Sequence, residues 1–111
     1  MVPQATDRTA AGLARAIRDG DYSPTAVVES TLERIHERVD RTNAFVTVTD
    51  ELAREMAADA ERAIEAGDPL GPLHGVPVAI KDLDDVEGVT TTSGSLLFED
   101  RVADSDSPFV A

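Results

Sequence analysis

Apolar positions recur three and four residues apart over the first two-thirds of the chain, and that spacing predicts three helices. In the first, over about residues 9–19, Ala10, Leu13, Ala14 and Ile17 share a face. Asp7 or Thr6 is placed to cap its start and Gly20 to stop it. The second opens with Ser23 as cap and Pro24 at the first helical position. Val27, Val28, Thr31, Leu32, Ile35 and Val39 form its stripe, opposite Glu29, Glu33, Arg34 and Glu37. Thr49 or Asp50 caps a third helix reaching about Glu65, with Leu52, Met56, Ala60 or Ala63, and Ile64 on one face and Gly67 at its end.

Between the second and third helices, Asn43 opens a β-branched run, Ala44-Phe45-Val46-Thr47-Val48, which predicts a short strand. After Gly67 the helical period stops. Asp68-Pro69-Leu70-Gly71-Pro72-Leu73-His74-Gly75 is a rigid irregular approach, and Pro77 confines the next run to an edge or pre-strand position. Residues 78–81 predict a second strand, Asp82-Leu83-Asp84-Asp85 a turn, and residues 89–95 a loop of small residues after Gly88. The expected fold class is therefore α/β: leading helices, then the first strands of a mixed sheet. Two strands do not complete a sheet, so further strands are expected outside these residues or from a partner. The expected organisation is one piece of a single domain, with residues 1–67 a helical leader carrying a short strand and residues 68–111 a separate segment. The polar stretch from Glu99 closes on Phe109-Val110-Ala111 without a cap and reads as a cut through an ordered protein.

Composition sharpens this picture. Twenty-two acids face ten basic residues, giving a net charge of −12 spread along the chain. A diffuse acidic surface argues against direct contact with nucleic acid or an anionic membrane, since both need clustered Lys or Arg. Low lysine, abundant Asp and Glu, and a core of Val, Leu, Ile and Ala together read as a halophilic, salt-adapted protein that is poorly stable at low salt. There are no cysteines, so disulfides and thiolate chemistry are excluded. No run approaches the ~18–20 apolar residues of a membrane span, and no basic-then-apolar leader is present. The expected location is cytoplasmic. No cofactor is expected, and no metal, because the spacing of Asp84, Asp85 and Glu87 lacks the other oxygen ligands of a calcium loop.

Of the ten basic residues, nine are arginine. The one lysine, Lys81, ends the apolar run Val76-Pro77-Val78-Ala79-Ile80. An ammonium there is costly unless paired or chemically employed. Two readings stand. Lys81 marks a strand end and pairs with Asp82, Asp84 or Asp85, or it acts as a nucleophile, phosphate ligand or base. A base needs the neutral amine, against an ordinary pKa near ~10.4. No Walker A run leads to Lys81. Ser93 and Ser95 flank Gly94 after the turn; a Ser–Lys pair is a catalytic class, but a turn whose hydroxyls cap backbone groups is the simpler reading. His74, between glycines, has no second histidine nearby and reads as structural or substrate-adjacent. His36 lies beside the apolar stripe of the second helix.

Gly71-Pro72-Leu73-His74-Gly75-Val76-Pro77-Val78-Ala79-Ile80-Lys81-Asp82 resembles the first block of the amidase signature family, and Gly88-Val89-Thr90-Thr91-Thr92-Ser93-Gly94-Ser95 resembles its continuation. The likeness is specific over residues 69–95 and looser over the leading helices. It implies an N-terminal fragment of an enzyme that cleaves carboxamide C–N bonds through a Ser–cis-Ser–Lys triad. The family's catalytic lysine falls on Lys81, and His74, Gly75, Asp82, Ser93, Gly94 and Ser95 become active-site neighbours. The Gly/Ser-rich block that supplies both triad serines is missing, so no nucleophile or bridging serine is assigned and the 111 residues alone are expected to be inactive. Two branches fit. One hydrolyses a small-molecule linear amide, as a monomer or homo-oligomer. The other is the A subunit of glutamyl-tRNA(Gln) amidotransferase, which works with partner subunits. Outside the family, an acidic remnant or protein-binding module is the remaining reading.

Overall fold

The computed structural model describes residues 7–111, which separate into two units. The helical unit takes residues 7–45 and 50–77, and the loop unit takes residues 46–49 and 78–111.

Three helices build the first: α1 (Ala10–Arg18), α2 (Pro24–Thr42) and α3 (Asp50–Glu65). Thr9 caps α1, its side chain accepting the Gly12 N–H. Asp7 is not that cap, and Thr6 lies outside the described residues. Ser23 caps α2 by accepting the Ala26 N–H, and Pro24 takes the first turn, where a missing N–H costs nothing. Both α1 and α3 end in a paired backbone closure. Gly20 and Asp21 donate to Ile17 and Ala16, and Gly67 and Asp68 donate to Ile64 and Ala63. Asn43 does not open a strand. It ends α2 in the left-handed region at φ 50°, its N–H bonded to Val39 O at 2.7 Å.

The core of this unit is small. Leu13, Ile17 and Val27 form its centre, with Tyr22, Ala26, Ile64 and Val76 packed against them. Ile17 and Val27 are the largest side chains fully removed from solvent, each burial being worth about 1.5–3 kcal/mol. The ties between α2 and α3 run in antiparallel order: Thr25 donates to Glu61, Arg54 to Glu29, and His36 pairs with Asp50. The buried face of α3 matches the expected one only in part: Ile64 packs against the core as expected. Ala57 is buried while Leu52 and Met56 are exposed, Met56 at 63%. The small Ala57 takes the buried position, and the two larger apolar side chains are turned outward.

The expected α/β class is overturned. The described residues contain no β-strand; their regular structure is helical, apart from one isolated antiparallel bridge, Thr90–Val102. Neither predicted strand forms. A β-branched run becomes a strand only when a neighbour satisfies its N–H and C=O groups. Residues 44–48 and 78–81 have no such neighbour among the described residues.

The loop unit is held by other means. Around the bridge, Gly88 N–H donates to Ala103 O, Ala103 N–H to Val89 O, and Thr91 N–H to Arg101 O, at 2.9–3.1 Å. Thr91 and Ala103 are buried beneath these bonds. A 3-10 helix, Leu96–Phe98, follows.

Candidate functional site

The predicted site residues fall in both units. His74 and Gly75 belong to the helical unit. Their turn is closed by His74 N–H to Gly71 O at 3.2 Å and Val76 N–H to Leu73 O at 3.1 Å. Arg18 donates to Gly71 O, and His74 Nε2 stands 2.8 Å from Ala60 O on α3. A carbonyl only accepts, so Nε2 carries the proton in this contact. Gly75 has φ +80°, and a Cβ there would stand 3.2 Å from Ile17 Cγ2 and from Pro24 Cγ. The glycine thus meets two demands at once, a left-handed backbone and a close approach to the core. It lets Val76 reach Leu13, Ile17 and Val27.

Lys81, Asp82, Ser93, Gly94 and Ser95 lie in the loop unit. Lys81 is exposed, and its carbonyl accepts the N–H groups of Leu83 and Asp84 at 2.7 and 3.0 Å. Among the described residues it makes no ion pair. The apolar run before it does not enclose it: Val78 is 78% exposed. The pairing with Asp82, Asp84 or Asp85 that the sequence left open does not form. Asp85 is taken by Arg101, which donates to both its oxygens at 2.7 and 2.9 Å and holds its carboxyl below the usual range. The sequence offered Asp85 a place in a turn or a pairing with Lys81; its actual partner, sixteen residues away, carries no local signal.

Asp82 faces the small-residue loop. Its carboxylate accepts the Thr92 N–H at 2.7 Å and the Thr92 hydroxyl, and its carbonyl accepts the Ser93 N–H at 3.0 Å. The Thr92 hydroxyl is the chief cause, with the Thr92 and Gly94 backbone N–H groups adding to it, of an Asp82 carboxyl held below the ordinary carboxylate range. Thr92 to Ser95 is a tight turn closed at 3.0 Å, with Ser93 at φ 52° and Gly94 at φ 68°. Positive φ at both central residues is the type I′ pattern. Ser95 Oγ accepts the Leu97 N–H at 3.2 Å and so caps the 3-10 helix. The structure therefore brings Asp82 together with Ser93 and Gly94, and gives Ser95 a capping task. Thr92, which sequence reasoning passed over, is the partner that makes the cluster. Among the described residues no group of three His, Asp or Glu is placed to hold a metal ion.

Comparison with known proteins decides the family. The amidase family model matches residues 26–111, a stretch that includes the whole lysine segment. The chain belongs to the amidase family. The glutamyl-tRNA(Gln) amidotransferase A subunit of Salinispora tropica is 42% identical over 105 residues, covering 95% of this chain and 21% of that protein. An acylamidase of Rhodococcus erythropolis is 35% identical over 102 residues, covering 92% and 21%. Among solved structures, one described as a vestigial protein complex revealing the evolutionary origins of an s-triazine catabolic enzyme superposes with a TM-score of 0.85. It is 34% identical, and the match covers 90% of this chain and 22% of that one. This amidase-family chain spans about a fifth of the length of the curated relatives it matches. No described helix is long and apolar enough to cross a membrane.

Proposed function

We propose that this chain is the lysine-bearing segment of a glutamyl-tRNA(Gln) amidotransferase A subunit, the component that frees ammonia from glutamine. The observation that carries this is the 42% identity to the Salinispora tropica protein over 95% of the chain, and the same name recurs among other relatives. In this reading Lys81, as the neutral amine, takes a proton through a bridging serine from a nucleophilic serine. The nucleophile attacks the carboxamide carbon, ammonia leaves, and water releases the acyl group. Both serines lie outside the 111 residues, and partner subunits carry the tRNA contacts.

A second reading is a hydrolase of linear amides. The likeness to an acylamidase and to a solved bacterial aryl acylamidase, 36% identical with a TM-score of 0.81, supports it. The complete gene product, purified alone and with the partner subunits encoded in the same genome, separates the two. Ammonia release from L-glutamine that rises with the partners supports the amidotransferase. Hydrolysis of an aryl anilide by the lone protein, with no glutaminase activity in either preparation, supports the hydrolase. Neither activity, with no paired serines in any downstream reading frame, removes both.

A further inference from the structure

We propose that Asp82 is a positioning residue for this chemistry, a clamp that holds the turn Thr92-Ser93-Gly94-Ser95 in register with the main chain of Lys81. The proposal rests on the reading of Lys81 as the catalytic base and adds a partner to it.

Three hydrogen bonds join Asp82 to this turn. Its carboxylate takes the Thr92 N–H and the Thr92 hydroxyl, and its carbonyl takes the Ser93 N–H. The Thr92 hydroxyl also accepts the Gly94 N–H at 3.2 Å, so the clamp is braced from inside the turn. None of this directs the Asp82 charge at the neighbouring lysine. A carboxylate next to a residue that must work as a neutral amine is a liability, because it favours the ammonium. Here its acceptor capacity is spent on another segment.

The clamped turn needs holding. Ser93 is in the left-handed region, which is strained for an L-residue and survives only where surrounding bonds impose it. Because Asp82 directly follows Lys81, the bonds that impose this conformation also set where the turn stands relative to the Lys81 backbone. An amide substrate reaching the lysine would meet the exposed Ser93 and Gly94 at that fixed position. The inferred role is to order a substrate-facing loop, with effects on turnover that pass through Thr92.

The test uses the complete gene product, with L-glutamine and an aryl anilide as substrates. Asp82→Ala is expected to lower kcat roughly 10- to 100-fold, the loss typical of a small misplacement. Thr92→Val should reproduce most of that loss, and Thr92→Ser, which keeps the hydroxyl, should restore activity to within about threefold of wild type. The Asp82→Ala/Thr92→Val pair should be no worse than Asp82→Ala by more than about threefold, since two halves of one clamp are lost only once. The acidic limb of the kcat/KM pH profile should stay in place, because the clamp acts by geometry rather than by charge on the lysine. Wild-type kcat in Asp82→Ala, fully multiplicative losses in the pair, or a shift of that limb by about one pH unit in Asp82→Asn would each overturn the clamp. Should Asp82→Ala not fold, the Thr92→Val and Thr92→Ser pair carries the same decision. Lys81→Met is the control. Retained turnover in that variant removes the reading of Lys81 and the clamp with it, whereas loss of turnover there beside normal Asp82→Ala kinetics removes the clamp alone.

Discussion

Gly75 shows how one residue governs a whole segment. Its φ of +80° and the 3.2 Å approach of Ile17 and Pro24 to the place of a Cβ leave no room for a side chain. Gly75→Ala is therefore expected to destabilise the fold by about 2 kcal/mol or more, combining left-handed strain with overpacking of a tight contact. A urea midpoint unchanged from wild type would contradict this. A control substitution at Gly71, where nothing stands near the Cβ position, should cost much less. At the same scale, His74 and Arg18 anchor the turn through carbonyls of Ala60 and Gly71. His74 and Gly75 therefore have a structural duty in holding this turn on the helices.

At the scale of elements, the helices carry their own punctuation. Ser23 supplies the side-chain acceptor for the Ala26 N–H and leads Pro24 into the first turn. Ser23→Ala should cost about 1 kcal/mol, and Ser23→Asp should recover most of it, because a carboxylate also accepts that N–H and suits the positive end of the helix. Equal thermal midpoints for wild type and Ser23→Ala would show that tertiary packing alone holds α2. The loop unit has local turns and the Ser95 cap but no long helix, and longer-range bonds tie these together. These are the bonds around Thr90–Val102, the Asp82–Thr92 contacts and the Asp85–Arg101 pair, all joining residues ten or more apart. Those bonds close loops without burying much apolar surface, and Leu97, at 90% exposure, packs on nothing in its unit.

At the scale of the whole molecule, charge sets the conditions for stability. Glu29, Asp50, Asp82 and Asp85 are each held below their ordinary pKa, chiefly by Arg54, His36, Thr92 and Arg101 respectively. A lowered folded-state pKa means that the unfolded chain binds the proton more readily. The stabilisation is complete above the usual carboxylate range near ~4 and is lost as pH falls through the lowered values. At about 1 M salt, where the repulsion of the net charge is screened, the urea midpoint should accordingly fall between pH 6 and pH 3, and a midpoint that rises on acidification there would refute the assignment. Salt acts on two terms of opposite sign. The described ion pairs are at the surface, contribute little, and weaken with screening. Repulsion within a chain of net charge −12 is relieved by the same screening. With so large an excess of acid over base and so small a core, relief should dominate. The melting temperature is expected to climb from low salt to about 1 M, where the Debye length shrinks to ~3 Å. A monotonic fall would mean that the ion pairs outweigh the net charge.

The residues by themselves determined the three helices, the Gly20 and Gly67 stops and the Ser23-Pro24 start, because capping and 3.6-residue periodicity are written in neighbouring positions, while the motif of residues 71–82 pointed to the amidase family that comparison then showed. They also singled out Lys81 and the loop of Ser93, Gly94 and Ser95. Tertiary structure alone decided the rest. Runs such as residues 44–48 and 78–81 have strand chemistry without strand neighbours, and pairing is a property of two segments, not one. Packing also decided which apolar positions of α3 are covered: Ala57 is buried and Ile64 joins the core, while Leu52 and Met56 are exposed. Asp82 with Thr92, and Asp85 with Arg101, meet across ten and sixteen residues of irregular chain, where no period links partner to partner and only the folded path brings them together.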